Sequence, residues 1–384
     1  MTRTDQAIRL VASWGLEHAS GGVASICPAS NREWQTILTR IRFERISGLA
    51  VEAAAANSLD LTDEQATELL EFHRAAMTWC LFAEQKLLHL ADAFDEEGID
   101  YAVLKGPALA HAVYEDPCLR PFCDLDLLVR SGDYSRANAL LAHLGHARSR
   151  PEPRLGWEAR FGKGSVHVDS DDAVEIDLHR TLVLGPFGQW IDADSLMAYR
   201  DTFVLGGRML PRLNDTGMFL NVALHAALGW ANPRIAPIRD CYELARSGSL
   251  DRGQLERWML SWQLGAVFER AQSLVASHLA VEPGPIFHVA QPTTRKQRRL
   301  LSIYSRESRS VALSLSTARA IPGVRLKIQY AWPLAIPDHA FLRARGGGSS
   351  PTRLQRVLIP FAFVSRSLVD LLRRSGGRLG VLQR

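Results

Sequence analysis

Long hydrophobic runs are missing from this chain of 384 residues. The longest candidate, Val357 to Val364, is eight residues and contains a proline, against the roughly 18 that a membrane-spanning helix needs. The opening MTRTDQAIRLVASW has no apolar core of signal-peptide type, so export is not expected. Cysteine is scarce: Cys27, Cys80, Cys118, Cys123 and Cys241 are scattered, odd in number and never spaced C-x-x-C. That argues against both a disulfide framework and a zinc site, and the expected compartment is a reducing cytoplasm. Lysine is equally scarce, five against forty arginines, the bias of a GC-rich bacterial genome. What remains is ordinary for a globular protein. With 47% hydrophobic and 22% charged residues, wholesale disorder is out. At about 150 residues per domain, the length suggests two to three.

The charge is unevenly placed. Residues 291–384 carry 18 Arg and Lys against three acids, Glu307, Asp338 and Asp370, while residues 1–290 carry 27 bases and 38 acids. A basic segment of this kind either meets a polyanion or folds back to neutralise an acidic body. The apolar residues from Leu300 to Trp332 are too many for a free, solvated arm, which favours folding back.

Along the chain, residues 1–95 read as helical. Thr62 with Gln65 three residues later is a capping signal, and Leu69, Phe72, Ala76, Met77, Cys80 and Leu81 recur at helical spacing until Gly98 stops the pattern. This region reads as a packed helical cap without chemistry. From Ile99 the pattern becomes strand and turn. Tyr101–Leu104 is a short buried strand, Pro107 opens a helical turn, and Asp124–Val129 (DLDLLV) is a second strand. A helix spans residues 134–144, a less regular region holds Trp157, Phe161 and Val166, and EIDLH at 175–179 is a further strand. Gly206-Gly207 marks a tight hairpin. Helical periodicity returns over residues 215–280, and prolines 283, 285 and 292 interrupt the chain before the basic extension. The fold class is α+β: helical regions at 1–95 and 213–290, a strand-bearing core at 96–212, and an extension at 291–384.

The informative residues are Lys105, Gly106, Arg120, Asp124, Asp126 and Asp177. Alternate residues of a strand share a face, so Asp124 and Asp126 project together, about 7 Å apart. A D-x-D pair arises often by chance, but aspartates are disfavoured in an apolar strand unless a site needs them. If the strand bearing Asp177 neighbours this one, three carboxylates meet in a site of the kind that holds two Mg²⁺ ions for phosphoryl chemistry. His179 shares the face of Asp177 and reads first as a structural or supporting residue. Gly106, ending a strand before a helix, lets a phosphate approach the backbone, and Lys105 adds a point charge.

Residues 99–180 resemble the nucleotidyltransferase superfamily with a polymerase-β-like core. They are most similar to a bacterial family of largely uncharacterised nucleotidyltransferases that read L-K-G, then R with D-[IL]-D-L-L-V, then I-D-L-H. The matching residues are Leu104-Lys105-Gly106, Arg120, Asp124 to Val129 and Ile176 to His179; His225 and Arg239-Asp240 extend the match weakly. The superfamily's usual Gly-Ser after the first strand is Lys105-Gly106 here, so the serine hydroxyl that touches phosphate is absent. The resemblance implies a small mixed-sheet nucleotidyltransferase core at 96–212. It implies that Asp124, Asp126 and Asp177 are catalytic and hold two Mg²⁺ ions, with Asp177 also acting as general base. Lys105, Gly106 and Arg120 would bind the donor, Arg120 neutralising charge on the leaving pyrophosphate.

The implied reaction moves a nucleoside monophosphate, most plausibly AMP from ATP or another nucleoside triphosphate, onto a small molecule or natural-product peptide. Two alternatives stand beside it: a toxin-like enzyme acting on RNA or protein, and a non-catalytic nucleotide-binding scaffold. Nucleic acid is the less favoured partner. The final segment, Leu354 to Leu372, mixes apolar residues with arginine and reads either as a helix covering the core or as one lying on an anionic membrane surface.

Overall fold

A computed structural model of the protein describes residues 2–16, 25–169, 174–283, 293–307 and 309–345. Seven strands form one mixed sheet. They are β1 (Tyr101–Val103), β2 (Asp124–Val129), β3 (Ala147–Arg148), β4 (Gly164–Val168), β5 (Glu175–His179), β6 (Arg200–Leu205) and β7 (Arg208–Leu213), in the spatial order β3-β4-β5-β2-β1-β7-β6. The β2–β5 and β1–β7 pairs are parallel and the others antiparallel. β2 lies at the centre, and every residue from Leu125 to Val129 is buried, as expected of a strand covered on both faces. At the β6–β7 hairpin, Gly206 and Gly207 have φ of 58° and 82°, the left-handed pair that a type I′ turn requires.

The N-terminal helices are Arg3–Ala12, Asn31–Glu44, Ser47–Ala55 and the 34-residue Asp63–Glu96. Thr62 and Gln65 form the expected capping box on the long helix. Its buried stripe runs through Leu69, His73, Cys80, Ala83, Leu87 and Phe94, whereas Leu81 points to solvent, 63% exposed. The long helix grips the approach to β2. The Trp79 indole donates to the Cys123 carbonyl at 3.2 Å, and the Phe122 amide donates to the Cys80 sulfur at 3.3 Å.

β4 is a strand where the sequence reads as irregular. Its inward positions are Ser165 and His167, which hydrogen-bond Asn138 at 2.8 and 3.0 Å. A polar network occupies the face that hydrophobic alternation would have marked.

Helices Asp215–Leu228, Ile235–Arg246, Arg252–Ser261 and Gly265–Leu279 follow the sheet. Beyond them the described part of the basic extension folds back as helices Arg295–Tyr304, Ser310–Ala320, Val324–Ala335 and His339–Arg345. Its attachment is mainly apolar. Tyr304 is 2% exposed, packs its ring 5.7 Å from Phe187 and donates to the Leu184 carbonyl at 2.7 Å. Tyr330 and Ile321 form a second small core with Phe161. Arg309 spends its charge on the Leu228 and Gly229 carbonyls at 3.0 and 2.6 Å, closing the end of helix Asp215–Leu228. Ion pairs to the body, Arg298–Glu269 and Arg154–Asp338, are loose at 3.9 Å. Folding back is therefore as expected, but apolar burial and carbonyl capping hold the described part more than neutralisation of acids does. The segment Leu354 to Leu372 lies outside the described residues. No helix among the described residues is long and apolar enough to cross a membrane.

Tyr304→Ala should cost about 3–5 kcal/mol in denaturant unfolding, since it empties a buried aromatic site and strips the Leu184 carbonyl of its donor. A cost under about 1 kcal/mol would show that the extension is not part of the cooperative body.

Candidate active site

The parallel register of β2 and β5 sets Asp126 opposite Asp177 and Leu128 opposite His179. Asp126 is 2% exposed, and a buried carboxylate persists as an anion only where it is paired and hydrogen-bonded. Two groups meet that need at Asp126, and a third serves Asp177 beside it. Lys105, arriving from the end of β1, places Nζ 2.8 Å from Asp126 Oδ1. His179 Nε2 lies 2.8 Å from the same oxygen and 3.2 Å from Asp177 Oδ2. Lys163, just before β4, reaches Asp177 Oδ2 at 2.8 Å.

The protonation states follow. Burial opposes the charge of Asp126, but Lys105 and His179 outweigh it and hold the carboxyl well below the usual range. Asp177 is likewise opposed by burial and held low by His179 and Lys163. Burial also works against the charged forms of Lys105 and His179, and the carboxylates overcome it and push both pKa values up.

One carboxylate oxygen each from Asp126 and Asp177 and a ring nitrogen of His179 all lie within 4.8 Å of one another. Two hard oxygen donors with an imidazole suit a divalent cation, so these residues fit a metal. Asp124, on the same strand face, is not one of these three groups. Its Oδ1 accepts from Arg45 at 3.1 Å, the residue that caps helix Asn31–Glu44 in a left-handed conformation.

Lys105 and Gly106 stand at the site. Gly106 has φ of 53°, and a Cβ there would lie 3.3 Å from the Asp124 carbonyl and from the Phe122 ring, so the turn needs glycine for conformation and for close packing against β2. Arg120 does not stand at the site. It is 7% exposed, its Nε and one terminal nitrogen clamp Asp240 at 2.7 and 2.8 Å, and the other donates to the Pro121 carbonyl at 2.8 Å. The Tyr114 hydroxyl adds a bond to Asp240 at 2.8 Å. These contacts lend no support to the phosphate role implied for Arg120: they engage three of its N–H groups in a buried set that ties the approach to β2 to helix Ile235–Arg246.

Three further residues border the site, of which only His225 had a sequence signal, as a weak extension of the family resemblance. Lys163 lies in a turn, Arg45 lies 79 positions before its partner Asp124, and His225 sits off the apolar face of its helix. The Asn221 amide of that helix donates to the Leu104 carbonyl at 3.2 Å, and His225 follows one turn later on the same face. Burial, then the Lys105 charge, holds the His225 ring well below its ordinary pKa, so it is neutral. His179 did have a signal, its shared face with Asp177, but not one that placed it between two carboxylates.

The family described as uncharacterised nucleotidyltransferase matches residues 30–280. A crystal structure of an antigenic nucleotidyltransferase-like protein from Paracoccidioides brasiliensis aligns with 52% of this chain and 92% of its own, at 17% identity and a TM-score of 0.31. No curated protein matches the chain.

Arg120→Gln should destabilise the fold by about 3–5 kcal/mol, because it leaves the Asp240 carboxylate buried and unpaired. Wild-type stability in that variant, read by thermal or urea unfolding, would return Arg120 to the list of ligand-binding residues.

Proposed function

The chain belongs to the family of uncharacterised nucleotidyltransferases, and from that premise we propose a metal-dependent enzyme that transfers a nucleoside monophosphate, AMP from ATP, to a hydroxyl or similar acceptor. A small molecule or a natural-product peptide is the acceptor class. The observation that carries this reading is the pairing of Asp126 with Asp177 across adjacent parallel strands, with His179 bridging them and Lys105 beside them.

Asp126, Asp177 and His179 would hold a divalent cation, Mg²⁺ being the hard ion that accompanies nucleoside triphosphates, and Asp124 would join them by exchanging its bond to Arg45. The bound ion supplies positive charge for the triphosphate oxygens. Two ions are the expectation where Asp124 participates. Lys105 stays charged beside Asp126 and offers its ammonium to the donor's phosphates. Asp177 is ionised at neutral pH and accepts the acceptor's proton, a weak base whose value lies in position rather than strength. The new bond joins the acceptor oxygen to the α-phosphorus, the bond to the bridging oxygen breaks, and pyrophosphate leaves with the electron pair.

Transfer to RNA or protein is the weaker alternative, because the described part of the basic extension is packed on the body rather than presented as an arm. A scaffold without catalysis has no need of buried carboxylates held ionised at a cost in desolvation.

Calorimetry should show nucleoside triphosphate binding that requires Mg²⁺ and is lost in the Asp124→Ala/Asp126→Ala double variant; unchanged binding there would sink the assignment. Mass spectrometry of a cell extract supplied with labelled ATP identifies the product. With that acceptor, Asp177→Asn should keep the fold and lose about 10²-fold or more in turnover, and full activity would place the base elsewhere.

A further inference from the structure

A second recognition surface adjoins Asp124 on the side of the N-terminal helices. Arg42 and Arg45, Phe72 and Trp79 of the long helix, and Phe122, two residues before Asp124, line it. The cavity measures about 260 Å³. That is below the range of roughly 300–1,000 Å³ for drug-sized ligands, a size that suits one ring with its substituent.

Its charge is out of balance. Arg42 lies 4.7 Å over the Phe72 ring and has no carboxylate within ion-pair distance among the described residues. Arg45 makes one bond, to Asp124 Oδ1. Arg234, outside the lining itself, lies over Trp230 at 4.6 Å and Phe43 at 4.4 Å, and its buried Nε has no hydrogen-bond partner. Burial and the neighbouring charge of Arg45 lower the Arg234 pKa, which is the mark of cations pressed together. Arg45 and Arg234 thus gather at Asp124 with Arg42 on the same cavity, while the Glu44 carboxylate that also faces Arg234 is already engaged by Arg40 and the Ile235 amide. Such crowding is unfavourable unless an anion completes it, and guanidinium groups on aromatic faces suit planar anionic partners.

We propose that this cavity is the acceptor site, and that the acceptor is an anionic molecule with a flat apolar part, of the aryl phosphate or aryl carboxylate class. Arg42 and Arg45 take the anion, and Phe72 and Trp79 take the ring. The assignment rests on the nucleotidyl-transfer reading for what happens to the ligand, but not for whether it binds. The donor's phosphates answer to Lys105 and the Asp126–Asp177 pair, and the link between the two sites is Asp124, whose carboxylate Arg45 holds.

The test uses the full chain without divalent cation, titrated calorimetrically with phenyl phosphate, benzoate and neutral benzyl alcohol. Saturable binding of at least one anion is expected, with benzyl alcohol weaker by about tenfold or more. Arg42→Gln, an exposed position whose change should leave the melting temperature alone, should weaken the anion by about tenfold and leave Mg²⁺-dependent ATP binding unchanged. Preference for phenyl phosphate over benzoate would identify a phosphate acceptor, and the reverse a carboxylate. Equal binding of benzyl alcohol, or no binding of either anion, overturns the proposal. So does a parallel loss of ATP affinity in Arg42→Gln, which would give the cavity to the donor. If anion binding is seen while the Asp124→Ala/Asp126→Ala variant binds Mg²⁺–ATP like wild type, the cavity stands and the nucleotidyl-transfer reading falls.

Discussion

Two carboxylates forced side by side in a largely dry site are the constraint around which this molecule is arranged. Parallel pairing of β2 and β5 brings Asp126 and Asp177 to one level of the sheet, and a repulsive pair in low dielectric is costly by several kcal/mol unless compensated. The compensation comes from three directions in sequence: Lys105 after β1, Lys163 before β4, and His179 two residues beyond Asp177 on the same strand. Each belongs to an element that pairs with, or is, one of the two carboxylate strands. The sheet order is therefore also an electrostatic arrangement: placing β2 between β1 and β5, and β5 between β2 and β4, delivers both cations to the pair.

Arg45 on Asp124 extends the same logic outwards. With lysine or arginine on every aspartate, the site is close to neutral in the absence of ligands. A divalent cation displacing those contacts would leave the ammonium and guanidinium groups without their carboxylates, so the site would turn strongly positive as it loads. A polyphosphate is the ligand that benefits most from such a change. The buried Arg120–Asp240 clamp works differently. It is buried and hydrogen-bonded on both partners, so its contribution is to fix where β2 begins relative to helix Ile235–Arg246, and with it the position of Asp124.

Much of this was legible in the sequence, for reasons that are local. DLDLLV and EIDLH announce strands by alternation, and an aspartate within an apolar strand marks a site because burial penalises it without a partner. Thr62 with Gln65, Gly206-Gly207 and Pro107 fix an end or a turn within a few residues, and each stands where the structure has it. The failures are equally physical. Residue type says that Arg120 is cationic, not whether it points to solvent or to Asp240, 120 positions away. β4 escaped because its buried face is built from Ser165 and His167, which satisfy one another through Asn138 rather than through apolar contact. Lys163 and Arg45 have no signal because their meaning lies entirely in the partner they meet.

The N-terminal helices show where pattern reading stops most clearly. Their periodicity describes a packed cap, and as packing it is accurate: Trp34, Ile37, Leu38 and Ile41 are fully buried. Periodicity assigns the remaining positions to solvent, and Arg42 is indeed exposed. Yet the helix ends beside the first strand aspartate, so residues that are surface in the helix's own frame become the walls of a cavity in the frame of the whole fold. The left-handed φ of 57° at Arg45, uncommon for a residue other than glycine, turns the chain at that point and sends the guanidinium towards Asp124. A cap that only shielded the sheet would have no reason to place arginine there, in a strained conformation and against the one aspartate that the buried cations leave to it.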